Sequence, residues 1–145
     1  MSQVTFNGHW QYPTQMGGAE YVGFVYIIHD LPENKMYIGK KDYFVKRGAQ
    51  KGAPSKWRDY VSSNKDLAAT VEKYGKESFD FYVLGEYKTA SGLIYAETWS
   101  LCSVDAPCKT NWINKRVEEV SWFIKEPVTD AHKAELIRLN ALLEG

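Results

Sequence analysis

The stretch Tyr21-Val22-Gly23-Phe24-Val25-Tyr26-Ile27-Ile28 is rich in β-branched and aromatic residues, which is typical of a strand in a sheet. The turn-forming sequence Asp30-Leu31-Pro32-Glu33-Asn34 follows it, and Lys35-Met36-Tyr37-Ile38-Gly39-Lys40-Lys41 predicts a second strand. The two strands are therefore expected to form an antiparallel β-hairpin. With the turn centred near its proline, the side chains of Tyr26 and Tyr37 are predicted to lie roughly opposite each other.

The rest of the chain predicts helices around one further strand. The expected elements are a loop over 42–55, a helical stretch from Ser55 or Lys56, a helix capped by Asn64 and Gly75, a strand over 78–87, a helix over 90–104, and a last helix from Thr129 or Asp130 to Leu143. The first pair of strands is antiparallel, so the predicted class is α+β, with a small antiparallel three-stranded sheet flanked by helices. A single domain is expected over 1–145, comprising an irregular N-terminal arm (1–20), a core (21–115) and a C-terminal extension with a helix (116–145).

The composition describes a globular domain whose charge is unevenly distributed. The chain has 145 residues, 44% hydrophobic and 14% aromatic, which is enough for one domain with a real core. From Lys35 to Arg58 there are eight basic residues and one acidic residue, Asp42, giving +7, so the remainder must carry −7 to reach the net charge of zero. This asymmetry suits a polyanion that meets one face, although a solvated lysine-rich loop would give the same pattern.

Cysteine content and hydropathy indicate where the protein works. Two cysteines, Cys102 and Cys108, are too few for a disulfide framework and have no histidines near them for a zinc site. No apolar run is long enough to span a bilayer, and the N-terminus lacks the pattern of a secretory signal. A cytoplasmic location with reduced thiols and no membrane partner is therefore expected.

Glu97 is the acidic residue whose position is hardest to explain by packing. It falls within the apolar stripe of the helix predicted over 90–104, four residues after Leu93 and four before Leu101. A carboxylate turned toward a core costs on the order of several kcal/mol unless something pairs it. A metal ion or a cationic cluster would pair it. The alternatives are a structural ion pair, or a stripe misjudged by one turn.

Basic residues follow the predicted hairpin closely. Lys40 and Lys41 end its second strand, and a cation beside a tyrosine favours the phenolate, which makes the tyrosine a candidate general base. Arg47, in the following loop, can offer a planar fork to a phosphate. The alternative is that the tyrosines only pack the sheet and the lysines are only solvated.

Taken together, these segments resemble the signature of the GIY-YIG nuclease family. Gly23-Phe24-Val25-Tyr26 and Tyr37-Ile38-Gly39-Lys40-Lys41 are similar to its two defining motifs, although Gly23 lies one place early. Tyr74-Gly75-Lys76-Glu77-Ser78-Phe79 resembles the family's helix-to-strand junction. The segment Trp57-Arg58-Asp59-Tyr60-Val61-Ser62-Ser63 is similar to one in small phage-encoded members of the homing-endonuclease type. The resemblance covers roughly residues 21–115.

The resemblance implies hydrolysis of phosphodiester bonds in double-stranded DNA, in the cytoplasm of a bacterial host if the protein is phage-encoded. The resemblance implies that Tyr37 acts as general base, helped by Lys40, and that Tyr26 orients the water or contacts the phosphate. Arg47 (or Arg58) would stabilise the charge on phosphorus. Glu97 would bind one Mg²⁺ or Mn²⁺, and Asn111 would support the site. Basic side chains would contact the DNA backbone and make binding salt-sensitive, namely Lys41, Lys46, Lys51, Lys56 and Arg58. One active site cuts one strand, so double-strand cleavage would need a homodimer or two binding events.

Two other classes of function stay open on the sequence. The same scaffold can serve as a catalytically inactive DNA- or protein-binding module, because fold alone does not guarantee chemistry. A protein-interaction domain with a coincidental signature is the third possibility, and the neutral net charge favours it.

Overall fold

The computed structural model describes residues 4–117, 120 and 124–144. The strands and longer helices of this part of the chain are β1 (Thr5–Asn7), β2 (Trp10–Tyr12), β3 (Gly23–Asp30), β4 (Lys35–Asp42), α1 (Lys65–Tyr74), β5 (Phe79–Tyr87), α2 (Ala90–Ser103) and α3 (Asp130–Glu144). Short 3-10 turns cover Trp57–Asp59, Lys76–Ser78 and Ala106–Cys108. The predicted α+β class is confirmed.

The sheet has five strands in the order β1-β2-β5-β3-β4, so the prediction of three strands was wrong. The two additional strands come from the arm that was expected to be irregular: β1 and β2 form an antiparallel hairpin, and β2 pairs with β5 in parallel. Each has only three residues, too few for an alternating pattern to be visible in the sequence. Their place in the sheet is set by pairing with β5, about seventy residues later in the chain.

The interior strand β3, between β5 and β4, is buried along its whole length because hydrophobic cores lie on both faces of the sheet. One core packs α2 and α3 against residues such as Val25, Ile27 and Ile38. The other lies on the opposite face and is largely aromatic, with Trp10, Phe24, Tyr26, Trp57, Phe79 and Phe81 among its members. Successive side chains of a strand point to opposite faces, so alternate residues of β3 and β4 belong to different cores.

Local sequence signals set the helix ends. The Asn64 side chain accepts a hydrogen bond from Leu67 N at 3.0 Å and caps α1, while Gly75 ends that helix with φ of 86°. Both caps were predicted. The helical stretch expected from Ser55 or Lys56 is only a 3-10 turn, Trp57–Asp59. Of the described helices, none combines the length and the apolarity that crossing a bilayer requires.

The hairpin is confirmed, but its register differs from the prediction. Asp30 pairs with Lys35, so the loop has four residues and Tyr26 lies opposite Gly39 rather than Tyr37. Tyr37 is the diagonal neighbour of Tyr26 on the same face, and their ring centroids are 6.4 Å apart. The two phenols are therefore neighbours, as expected, but they are diagonal neighbours on adjacent strands and not a directly opposed pair.

The outer edge of β4 is covered by the segment 111–114. Met36 N donates to Asn111 O at 3.0 Å and Ile113 N donates to Met36 O at 2.8 Å, which is a short parallel pairing. The Asn114 side chain then continues this pairing, because its Oδ1 accepts from Ile38 N at 2.8 Å and its Nδ2 donates to Ile38 O at 2.7 Å. The edge of the strand is thereby closed to further pairing at this point.

A buried chain of hydrogen bonds fixes α3 against β5 and α2. His132 lies between Tyr87 Oη, 2.9 Å from Nδ1, and Ser100 Oγ, 2.6 Å from Nε2. Ser100 Oγ donates to Ala96 O at 2.7 Å, so it accepts from His132, and the imidazole is neutral with its proton on Nε2. Burial lowers the pKa of His132 from 6.5 to about 4, in agreement with a neutral ring.

Candidate active site

A cleft of about 820 Å³ opens at the outer edge of the sheet. Its walls come from four parts of the chain: the β3–β4 hairpin, the start of α1, the middle of α2 and the segment 111–117. The lining residues are Tyr26, Tyr37, Gly39, Lys40, Ser63, Asn64, Asp66, Glu97, Leu101, Ile113, Asn114, Lys115, Arg116 and Val117. Four of the predicted site residues therefore line one cleft, namely Tyr26, Tyr37, Lys40 and Glu97.

The two phenols approach this cleft from the aromatic face of the sheet. Tyr26 is 1% exposed, and its ring contacts Tyr37 and also Tyr60, whose centroid is 6.2 Å away. Gly39 makes room for it, since a Cβ at this position would collide with the ring and hydroxyl of Tyr26. The glycine of the second motif thus has a steric reason, which is to let the phenol reach the outer strand.

Glu97 reaches the same cleft from the opposite side of β4, on α2. Leu93 and Leu101, one turn before and after it, are both buried, so the predicted stripe is confirmed on either side of the carboxylate. Glu97 itself is half-buried and lines the cleft where the helix passes the sheet edge. The carboxylate and the phenols therefore meet at the rim of β4, although they belong to different layers.

The environment of the phenols raises the pKa of both. Burial is the main cause at Tyr37, where a hydrogen bond with Ser62 lowers the pKa and the charge of Glu97 raises it. The pKa of Tyr26 is raised well above its usual value, first by burial and then by Tyr60, Tyr37 and Glu97. The expected lowering by a neighbouring lysine was wrong, because Lys40 and Tyr37 lie three residues apart on β4 and leave it on opposite faces.

The arginines predicted for the site lie elsewhere. Neither Arg47 nor Arg58 is among the described residues that line the cleft. After Tyr43 the chain turns back on itself, with Val45 N donating to Ala53 O at 2.8 Å and Ser55 N donating to Tyr43 O at 2.7 Å. This closed turn holds Arg47 near its exposed tip. Arg58 instead places its guanidinium 4.3 Å from the ring centre of Trp57.

Apart from Lys40, the basic residues of the 35–58 segment are not among the described residues that line the cleft. Lys41 lies over the Tyr60 ring at 4.1 Å and is half-buried, and burial lowers its pKa. Lys46 forms an ion pair with Asp42 at 3.4 Å. Lys51 and Lys56 are exposed. The strongly positive segment thus presents its charge mainly to solvent.

Asn111, the predicted supporting residue, does not line the cleft, but a second asparagine three residues later does. Asn111 gives only its backbone carbonyl to β4 and is not among the cleft-lining residues, whereas Asn114 lines the cleft and is 8% exposed. The sequence Asn111-Trp112-Ile113-Asn114 contains two asparagines, and only the pairing of this segment with β4 decides which of them lines the cleft. Sequence reasoning also missed other lining residues, for which no pattern gave a signal: Ser63, Asp66, Lys115 and Arg116.

The donor atoms of the cleft suit one kind of metal ion better than another. Within the described part of the chain, no group of three or more His, Cys, Asp or Glu side chains is placed to hold an ion. Glu97 and Asp66 are the carboxylates that line the cleft. Mg²⁺ is usually bound through one or two carboxylates together with waters and substrate phosphates, whereas zinc needs several nitrogen or sulfur ligands. The two carboxylates are ligands of the kind that Mg²⁺ accepts, and the described residues of the lining lack the nitrogen and sulfur ligands of a zinc site.

The comparison with known families agrees with this geometry. Residues 9–117 match the family model described as "Putative endonuclease segE, GIY-YIG domain". The match covers well over half of the chain, begins just before β2 and ends with the cleft residue Val117. These features define an endonuclease-type domain, and the chain belongs to the GIY-YIG family. No curated protein and no solved structure matches it.

Proposed function

We propose that the protein is a metal-dependent DNA endonuclease that hydrolyses phosphodiester bonds in the cleft at the edge of β4. The observation that carries this proposal is the convergence of Tyr26, Tyr37 and Glu97 from three elements on one open cleft. Burial is the main reason that the pKa of both phenols is raised, and the charge of Glu97 adds to the increase at each, which supports the placing of the three groups in one site. A purely structural sheet would have no need of a carboxylate beside two half-buried or buried phenols.

In the proposed reaction, Tyr37 accepts a proton from water. The water oxygen forms a bond to phosphorus while the bond from phosphorus to the leaving oxygen breaks, and the leaving oxygen departs as an alkoxide that takes a proton from solvent. Tyr26, almost fully buried, keeps its hydroxyl in place beside that water, which favours one direction of attack. Glu97 would hold a Mg²⁺ or Mn²⁺ ion, which would supply positive charge to neutralise the negative charge of the reacting phosphate.

The raised pKa of Tyr37 has a consequence for the pH dependence of cleavage. Because the pKa of Tyr37 is raised from its ordinary value of about 10, nearly all of this phenol is protonated at neutral pH. Only the small deprotonated fraction can accept a proton from water. We therefore expect the cleavage rate to rise with pH from neutral to alkaline conditions. A bound divalent cation would offset the effect of Glu97, since opposite charge favours the phenolate.

Double-stranded DNA is the proposed substrate, and basic residues outside the cleft lining would contact its backbone. Lys41, Lys46, Lys51, Lys56 and Arg58 carry this role in the proposal, together with Arg47. Each phosphate contact makes the slope of the logarithm of the DNA-binding constant against the logarithm of the salt concentration more negative by about 0.9. A single cleft serves one strand, so a homodimer or a second binding event would produce double-strand breaks.

The test is nicking of supercoiled plasmid in Mg²⁺ by the wild type and by Glu97→Gln. We expect Glu97→Gln to abolish nicking while it retains DNA binding and the thermal unfolding midpoint of the wild type. Glu72→Gln, on the exposed face of α1, is the matched control and should nick normally. Nicking by Glu97→Gln at the wild-type rate would remove the metal-site assignment. Salt-dependent DNA binding by a wild type that never nicks would identify a binding module instead.

A further inference from the structure

The cleft contains one arginine, and it is not one that the sequence motifs suggested. Three basic residues line it: Lys40, Lys115 and Arg116. The ammonium group of Lys115 donates to Lys109 O and Trp112 O, both at 3.0 Å, and is thereby used to close the loop before it. Lys40 is a point charge on β4. Arg116 is therefore the arginine among the described residues that line the cleft together with the tyrosines and Glu97.

The position of Arg116 is fixed by the strand that carries Tyr37. Trp112 is fully buried, and Asn114 uses both ends of its amide to bind Ile38, at 2.7 and 2.8 Å. Ile38 is the immediate neighbour of Tyr37. Two residues of extended chain span at most about 7 Å, so Arg116 begins close to this anchor. Its side chain is exposed and can turn toward a ligand in the cleft.

A guanidinium is the side chain best suited to a phosphate at this place. Its planar fork can donate two parallel hydrogen bonds to two phosphate oxygens, and it stays charged at every pH at which the protein is folded. The carboxylates of Glu97 and Asp66 line the same cleft, so a cation is needed there before a polyanion can enter. Arg47 lies on the exposed turn after Tyr43, and Arg58 lies against the Trp57 ring, so neither guanidinium is part of the cleft lining.

We propose that Arg116 contacts the scissile phosphate and stabilises the charge that develops on it during cleavage. This inference rests on the proposed endonuclease function, and it assigns the charge-stabilising role to the segment after Asn114 instead of the loop after β4. Arg47 and Arg58 then contribute to binding of the DNA backbone away from the reacting bond.

The experiment compares Arg116→Ala, Arg116→Lys and Arg47→Ala in single-turnover nicking of supercoiled plasmid, with enzyme in excess and Mg²⁺ present. We expect Arg116→Ala to lower the rate constant by at least ~10²-fold, as for loss of a preorganised charge stabiliser, with DNA affinity within a few-fold of wild type. Arg116→Lys should recover part of the rate, because it restores the charge without the fork. Arg138→Ala, on the exposed face of α3, is the control and should nick as the wild type does.

A second measurement separates the missing guanidinium from a disturbed fold. Methylguanidine added to Arg116→Ala should raise its rate, and the unfolding midpoint of this variant should equal that of the wild type. An Arg116→Ala rate within two-fold of wild type overturns the assignment of Arg116 while the proposed function stands. If the wild-type protein does not nick DNA, the proposed endonuclease function is wrong, and so is the assignment of Arg116.

Discussion

His132 gives the clearest prediction, because its contribution to stability can be worked out from the structure. The ring is completely buried and donates from Nε2 to Ser100, while Nδ1 accepts from Tyr87. A proton on Nδ1 would leave two donors facing each other and would place a charge in the core. Burial accordingly lowers the pKa of His132 from 6.5 in the unfolded chain to about 4.

The sign and the size of the effect follow by linkage. Between pH 4 and 6.5 the unfolded chain binds the proton and the folded protein does not, so acid favours unfolding. The contribution of His132 is complete above pH 6.5 and is lost progressively as the pH falls toward 4. One pKa unit corresponds to about 1.4 kcal/mol, so the free energy of unfolding should fall by on the order of 3 kcal/mol over this range from His132 alone.

Urea unfolding followed by tryptophan fluorescence at several pH values tests this reasoning. His132→Gln does not titrate, and subtracting its pH dependence from that of the wild type removes the contributions of the carboxylates and of His9, whose pKa is also lowered to about 4. The variant should be less stable than the wild type at pH 7, and its free energy of unfolding should change less than that of the wild type between pH 6.5 and 4. Parallel curves for the two proteins would refute the buried neutral histidine.

Two further substitutions test how the cleft is built. Gly39→Ala should destabilise the protein by about 1–3 kcal/mol and impair nicking, because the new Cβ would collide with the buried ring of Tyr26. Urea unfolding measures the loss of stability. Gly18→Ala is the control, because a Cβ at Gly18 would make only ordinary van der Waals contacts. Asn114→Ala should cost roughly 2–4 kcal/mol, since it leaves the N–H and C=O of Ile38 without partners. Hydrogen exchange should then show faster exchange at the Ile38 amide, and unchanged exchange there would contradict this account.

Much of the fold was predictable because its signals are local. The hairpin of β3 and β4, the Asn64 cap, the Gly75 end of α1 and the extent of α2 each follow from a few consecutive residues. The strands β1 and β2 could not be found in this way. Each is three residues long, and the pairing of β2 with β5 is a long-range contact that no local pattern encodes.

The same distinction explains what was predicted of the site. Glu97 was found because a carboxylate inside an apolar stripe conflicts with its local pattern, and the two tyrosines were found because they lie on adjacent strands. The register was missed by two residues, since a four-residue loop joins the strands. Asn114 and Arg116 were missed because their place in the cleft depends on how the segment after α2 returns to β4, which the sequence does not show.

That returning segment links the stability of the sheet to the proposed chemistry. A strand edge left open invites pairing with other chains, and here the residues from Asn111 to Asn114 close the edge of β4 with backbone and amide hydrogen bonds. The same bonds place Arg116 at the cleft that Glu97 of α2 also lines. A substitution that loosens this edge should therefore affect cleavage and stability together, whereas Arg116→Ala should affect cleavage alone. Comparing Asn114→Ala with Arg116→Ala separates the two contributions, and equal losses of stability in both would show that the arginine has a structural role.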